Sequence, residues 1–183
     1  MSEAIETILN EIQEVFKKVD RSNVEKLVDV LSTNQRIFVL GEGRSRLMAK
    51  SFAMRLMHLG LHVYVVGETT TPSVQKGDIL IAISGSGTTS TIVGMAEKAK
   101  NNGVMVVVVT SDQKSKLAHA SECTIHIPAA TKYRKEGELF SEQPLSSLFD
   151  QSVHIYFDAV CLAIVRGQKS GNEEAFVRHN NLE

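Results

Sequence analysis

The sequence has little cysteine, almost no net charge and no long apolar run, and each shortage removes a class of protein. Its two cysteines, Cys123 and Cys161, lie in apolar surroundings with no zinc-ligand spacing between them, so they read as buried thiols of a reducing compartment. A formal net charge of −1 over 183 residues gives no long-range pull toward nucleic acid or an anionic membrane. A small anion remains possible, because it needs only local donors. No run reaches the roughly 18 apolar residues of a spanning helix, so none is expected. The opening MSEAIETILNEIQEVF carries Glu3, Glu6 and Glu11 and lacks the basic-then-apolar order of a secretory signal; a cytoplasmic location is expected. Internal repeats, low-complexity segments and a convincing metal-ligand cluster are also lacking. His58 and His62 straddle Gly60, with His62 outside the expected helix.

What is present suits one domain with a real core: 43% hydrophobic and 22% charged residues fall in the globular range. Residues 3–19 place Ile5, Ile8, Leu9, Ile12, Val15, Phe16 and Val19 at helical spacing, and a second helix follows over 24–31, ended by Asn34 and Gln35. Short apolar runs at 37–40, 63–66, 79–83, 104–109 and, more weakly, 124–127 read as strands. Helices are expected between them at 44–59, 89–100 and 114–120, the first stopped by Gly60. Nearly continuous apolar strands alternating with helices predict an α/β, doubly wound parallel sheet, with ligands outside the carboxyl ends of the strands. Residues 129–142 form a long polar loop containing Tyr133, Arg134, Lys135 and Gly137. A helix over 146–168 follows, apolar around most of its circumference. It is either a central core helix or one shared with another subunit, and the second reading is preferred because the N-terminal helices also need an apolar partner. The chain thus reads as one domain over 1–183, with N-terminal helices in 1–34 and a long helix plus tail in 145–183.

Two loops join a strand to a helix with the composition of an anion site. GEGRSR at 41–46 partly matches a dinucleotide fingerprint, but Arg46 stands where the third glycine is needed, and Glu68 sits near the place of a ribose-binding acid. The chain has no G-x-x-x-x-G-K-[ST] motif. SGSGTT at 84–89 interleaves four hydroxyls with two glycines, more than a helix cap requires. Its backbone can wrap an anion while the helix start offers free N–H groups, which suits a phosphate monoester. The candidate ligand-binding residues are Gly43, Arg44, Ser45, Glu68, Ser84, Gly85, Ser86, Gly87, Thr88 and Thr89.

The segments GRS at 43–45, AKSFAMRLMH at 49–58, VGETTTP at 66–72, ISGSGT at 83–88, SLF at 147–149 and RHNNLE at 178–183 resemble sugar isomerase (SIS) domain proteins, and within them the 6-phospho-3-hexuloisomerases. SGSG alone marks the wider family; AKSFAMRLMH, VGETTTP and the tail are more specific to the branch. The resemblance implies a five-stranded parallel sheet, a sugar phosphate ligand, and dimers or tetramers with sites at subunit boundaries. It places the phosphate among Ser45, Ser84, Ser86 and Thr89. It implies interconversion of D-arabino-hex-3-ulose 6-phosphate and D-fructose 6-phosphate through an enediol, with no cofactor and no metal.

Such chemistry needs a base at carbon and donors at the two oxygens. The family's carboxylate base is a glutamate at the position of Asp150, whose arm is one methylene shorter. On its own, Asp150 also reads as an acid stabilising a helix start. Ser146 stands where the family has glycine, and Arg46 where it has a small residue. Glu68 and Glu142 are reserve carboxylates. The resemblance makes His58 and His179 candidates for ring opening or proton transfer to oxygen, although by spacing His58 reads as an interface or C-cap histidine and His179 as part of a polar terminus. His154, at i+4 from Asp150, is a possible partner for it or a packed core residue. Alternatives are an isomerase of another sugar phosphate, a non-catalytic sugar phosphate sensor and, more distantly, an NAD-dependent oxidoreductase. A DNA-binding regulator is disfavoured, because about 36 residues precede the first strand and contain no basic recognition helix.

Overall fold

In a computed structural model, residues 2–33, 35–168 and 171–182 are described. Five parallel strands, β1 (Ile37–Gly41), β2 (Val63–Val65), β3 (Ile79–Ile83), β4 (Met105–Thr110) and β5 (Cys123–His126), form one sheet in the order β2-β1-β3-β4-β5. The central strands β1 and β3 are buried throughout, which explains why their apolar runs do not alternate with polar residues. Helices α1 (Ser2–Lys18), α2 (Ser22–Leu31), α3 (Gly43–His58) and α6 (Ser147–Gln168) cover one face. Helices α4 (Ser90–Asn101) and α5 (Lys116–His119) cover the other, and a short α7 (Asn172–Val177) closes the chain. Side chains alternate between two cores. Ile37, Val39, Ile79 and Ile81 pack toward α1, α2, α3 and α6, while Phe38, Leu40, Leu80 and Ala82 pack toward α4 and α5.

Local chemistry sets the element ends. α3 stops at Gly60, whose φ of +84° suits glycine, while Gly60 N donates to Met57 O and Leu61 N to Leu56 O, a Schellman closure. α2 ends at Ser32 and Thr33, whose hydroxyls bond back to Val28 O and Val30 O at 2.7 Å. Asn34, expected to help end it, lies outside the described residues. α5 is shorter than expected because Asp112 folds 112–114 into a turn (Lys114 N to Oδ1, 2.9 Å) and Ser115 then caps the helix, accepting from Ala118 N. At the lower end of the sheet, Arg36 grips the buried Asp78 with two bonds, Nε to Oδ1 at 3.0 Å and Nη2 to Oδ2 at 2.6 Å; each residue immediately precedes its strand, β1 or β3.

By length and composition α6 is apolar enough to cross a membrane, yet it packs against α1, α2 and α3, and Phe157 stacks on Phe52 with centroids 3.9 Å apart. Much of the cover that its apolar circumference demands therefore comes from its own chain. Ile155 and Leu162 remain 41% and 49% exposed on the outer side.

Candidate active site

The strand order reverses between β1 and β3, and Gly41 and Ile83 are paired at their carboxyl ends. There the two crossovers diverge to opposite faces, leaving the crevice in which open α/β sheets take ligands. α3 starts just above β1 and α4 just above β3, and neither start is capped by its own N-cap side chain, Glu42 or Thr89. Their first-turn N–H groups and positive dipole ends thus remain available to an anion. A cavity of about 350 Å³ opens between them, lined by Gly43, Arg44, Ser45, Ser84, Gly85, Ser86, Thr89 and Asp150.

The 84–89 loop is preformed. Ser84 N donates to Val109 O at 3.0 Å, Gly87 N to Ser84 O at 3.1 Å, and the Ser84 and Thr89 hydroxyls are 3.2 Å apart. The Ser86 hydroxyl accepts from Thr88 N at 3.3 Å and Thr88 Oγ1 at 3.1 Å, which leaves its own proton free for a ligand. Gly87 has φ +61°, and a Cβ there would stand 2.0 Å from Ser115 Oγ. This glycine serves the fit of the loop on α5. Glu42 also lines the cavity, and its carboxylate is bonded to the Thr91 hydroxyl of α4.

Asp150, in the first turn of α6, is only 7% exposed. Ser45 Oγ donates to its Oδ1 at 3.2 Å, and Arg44 Nε lies 3.1 Å from Oδ2 without hydrogen-bond geometry. Arg44 also donates from Nη1 to Ser147 Oγ at 3.0 Å, tying the starts of α3 and α6 together. Burial raises the Asp150 pKa above the ordinary aspartate value, and Arg44 and then Ser45 pull it partly back. A buried carboxylate of raised proton affinity, facing a cavity, is equipped to take a proton from carbon.

The outer wall comes from a segment whose lining residues were not foreseen. Thr131, Lys132, Tyr133, Leu145, Ser146 and Phe149 face the same cavity, and Lys132 N donates to Ser146 Oγ at 3.1 Å. Lys132 adds a second cation to the lining, with its Nζ 5.0 Å from the centre of the Tyr133 ring. The polar 129–142 run was the available signal, but nothing in it marks which residues turn inward.

The SIS domain model matches residues 30–155. The chain belongs to the SIS domain family. It is 36% identical to the 3-hexulose-6-phosphate isomerase of Bacillus subtilis over 100% of this chain and 98% of that protein. With the Mycobacterium gastri 3-hexulose-6-phosphate isomerase it shares 40% identity over 96% and 88%. It also superposes, with a TM-score of 0.84 and 33% identity over 99% of both chains, on a Methanococcus jannaschii protein whose crystal structure infers a molecular function of 3-hexulose-6-phosphate isomerase.

Within this SIS domain several candidates lie away from the cavity. Glu68 is exposed and paired with Lys50 at 2.6 Å and Arg46 at 3.8 Å; Lys50 holds its carboxyl below the usual range. Arg46 thus turns toward Glu68, and Gly87 and Thr88 shape the loop from outside. Glu142 is exposed, and its backbone N–H binds Glu11. His154 pairs forward with Asp158 at 3.7 Å and sits 3.5 Å from Ser51 Oγ; no bond joins it to Asp150. His58 and His179 meet each other, with ring centroids 5.2 Å apart. Arg178 of the tail donates to His58 O and Glu174 O, which fastens this part of the polar terminus to the end of α3; Glu183 lies outside the described residues. Burial, then His179 and Arg55, lower the His58 pKa. The histidines flank a separate cleft of about 320 Å³. Ser45 and His58 are separated by 13 residues of helix, roughly 20 Å, so the histidines cannot reach Asp150 within one chain.

Proposed function

We propose that this SIS domain is a 6-phospho-3-hexuloisomerase, interconverting D-arabino-hex-3-ulose 6-phosphate and D-fructose 6-phosphate. The observation that carries the reading is the buried Asp150 carboxylate, facing a hydroxyl-lined cavity at two helix starts. The phosphate sits on the α3 and α4 starts, held by Ser45, Ser84, Ser86 and Thr89, with Arg44 and Lys132 as nearby cations. Asp150 takes the proton from C2 of the hexulose, and the electrons of that C–H bond form the C2–C3 double bond of an enediol. Returning the proton to C3 leaves the carbonyl at C2, while hydrogen moves from the C2 oxygen to the C3 oxygen. Electrons are only redistributed within the substrate, so the reaction needs no redox cofactor.

His58 and His179, too far from their own cavity, act at the cavity of an adjacent subunit in a homodimer or homotetramer. There the half-buried His58, biased toward its neutral form, passes protons between sugar oxygens. We infer a cytoplasmic enzyme of ribulose monophosphate chemistry, which fixes or releases formaldehyde.

The test is wash-in of solvent deuterium into fructose 6-phosphate with chelator present. Exchange at C3 is expected. Exchange at C1 instead would indicate an isomerase of an aldose phosphate, and binding without exchange would indicate a sensor.

A further inference from the structure

Gly85, at the centre of the anion loop, is held from two sides. Its carbonyl accepts from Ser111 N and Thr110 Oγ1, each at 3.0 Å, and from Ser111 Oγ at 2.8 Å. On its other side the Thr131 methyl lies 3.0 Å from where a Cβ on Gly85 would stand. Both grips end on one carboxylate. Glu138 accepts from Thr131 N and Thr131 Oγ1, each at 2.7 Å, and from Ser111 Oγ at 3.1 Å. The single Ser111 hydroxyl proton is thus shared between Gly85 O and Glu138. Thr131 and Ser111 are 1% and 6% exposed, while Glu138 itself is half-buried.

The arrangement has a directional consequence. A trans, planar peptide aims its N–H opposite to its C=O. With the Gly85 carbonyl pinned toward the end of β4, the Ser86 N–H points away from β4, and no acceptor among the described residues takes it. Glu138 does not itself line the cavity.

We propose that Glu138 is a positioning residue for the phosphate site: it holds in place the Ser111 residue whose N–H and hydroxyl grip the Gly85 carbonyl, and through Thr131 it closes the opposite wall onto Gly85. The ligand class it serves is a phosphate monoester, so the proposal rests on the sugar phosphate reading of the cavity. Electrostatics alone predicts the opposite outcome. A carboxylate behind an anion site repels the anion, so its neutralisation would tighten binding if charge were its only effect.

The experiment compares Glu138→Gln, Ser111→Ala and the double variant in the full-length protein. Calorimetric titration with fructose 6-phosphate is expected to show about tenfold weaker binding for Glu138→Gln, the scale of one hydrogen bond to a charged ligand. In turnover KM rises by a similar factor and kcat stays within about twofold, as when uniform binding is lost. The double variant is expected to bind no more weakly than Glu138→Gln alone, because both substitutions break one relay. In ligand-free protein the amide resonances of Gly85 and Ser86 move. Unmoved Gly85 and Ser86 amides, or unchanged or tighter binding, overturn the proposal. Should Glu138→Gln fail to fold, Ser111→Ala decides by the same two readouts. Equal binding of unphosphorylated fructose by the wild type would instead defeat the sugar phosphate reading, and the ligand-free amide shifts would still report whether the relay exists.

Discussion

Replacing Asp150 by Asn separates catalysis from stability, and the two effects have opposite signs. Asn keeps the shape and can still accept the Ser45 hydroxyl, but it cannot take a proton. Turnover is expected to fall about a hundredfold to a thousandfold, the usual share of a general base, while fructose 6-phosphate still binds. The stability effect follows from burial. Because the folded-state pKa of Asp150 is raised, the folded chain holds this proton more tightly than the unfolded chain does. Its contribution is fully present below the unfolded aspartate value of about 3.9 and is lost as pH rises through the raised folded value. At neutral pH the ionised, buried carboxylate is therefore a cost that Asn removes. A gain of about 0.5–2 kcal/mol is expected, on the scale of stabilising substitutions at strained functional sites. At about 2–4 °C per kcal/mol for a chain of this size, Tm rises by a few degrees in a melt at pH 7. The gain shrinks as the pH is lowered toward 4 and the wild-type carboxyl becomes protonated. Loss of deuterium exchange at C3 of fructose 6-phosphate accompanies it. A variant that keeps exchange, or that melts lower at pH 7 than at pH 4 relative to wild type, would refute the buried-base assignment. Asp150→Glu is the companion. Ser45 at 3.2 Å and Arg44 at 3.1 Å already crowd the carboxylate, so an added methylene of roughly 1.5 Å displaces Arg44 or misaims the base. Lower activity than wild type is expected.

Ser86→Ala removes a hydroxyl that is poised to donate to the phosphate. Fructose 6-phosphate affinity should fall by about 1.5–3 kcal/mol in calorimetry, and an unchanged affinity would take Ser86 out of the site. Co-expressing Asp150→Asn with His58→Ala chains, each strongly impaired alone, should restore partial activity; mixed assemblies no more active than either variant would argue against composite sites. Among the described residues the buried Tyr156 hydroxyl finds no hydrogen-bond partner, and burial drives its pKa up. Tyr156→Phe is therefore expected to be neutral or to stabilise by about 1 kcal/mol in chemical denaturation, whereas a clear loss would reveal an unseen partner for that hydroxyl.

Much of the fold was legible because its strands are apolar on both faces, a pattern with few competing explanations. The loops at 43–45 and 84–89 were legible for a similar reason, since hydroxyls and glycines at a strand-to-helix junction have a direct physical use. What could not be read was set by distant neighbours. The depth of Asp150 comes from packing among α3, α6 and the outer loop. Glu68 sits in a family-specific motif, yet its nearest charges are Lys50 and Arg46, one helical turn apart on α3. Thr131 and Lys132 lie in an irregular segment without periodicity, so no pattern separates inward from outward side chains. The α6 helix is a different case, because its own chain covers part of it and leaves Ile155 and Leu162 exposed. Its apolar circumference is real, but an amphipathic helix pair from the same chain supplies much of the cover.

The ion pair between Arg36 and Asp78 is far from the chemistry, yet it sets the gauge of the pocket. Five residues of strand, roughly 16 Å, separate it from Gly41 and Ile83. Strands transmit offset with little give, so whatever fixes β1 against β3 at the bottom also fixes how far apart the two ligand loops emerge at the top. A slip of one residue would bring opposite faces into line and leave the serines of the two loops at different heights. A clamp that never meets the sugar thus behaves like the closed end of a caliper, and its tightness defines the opening at the other end.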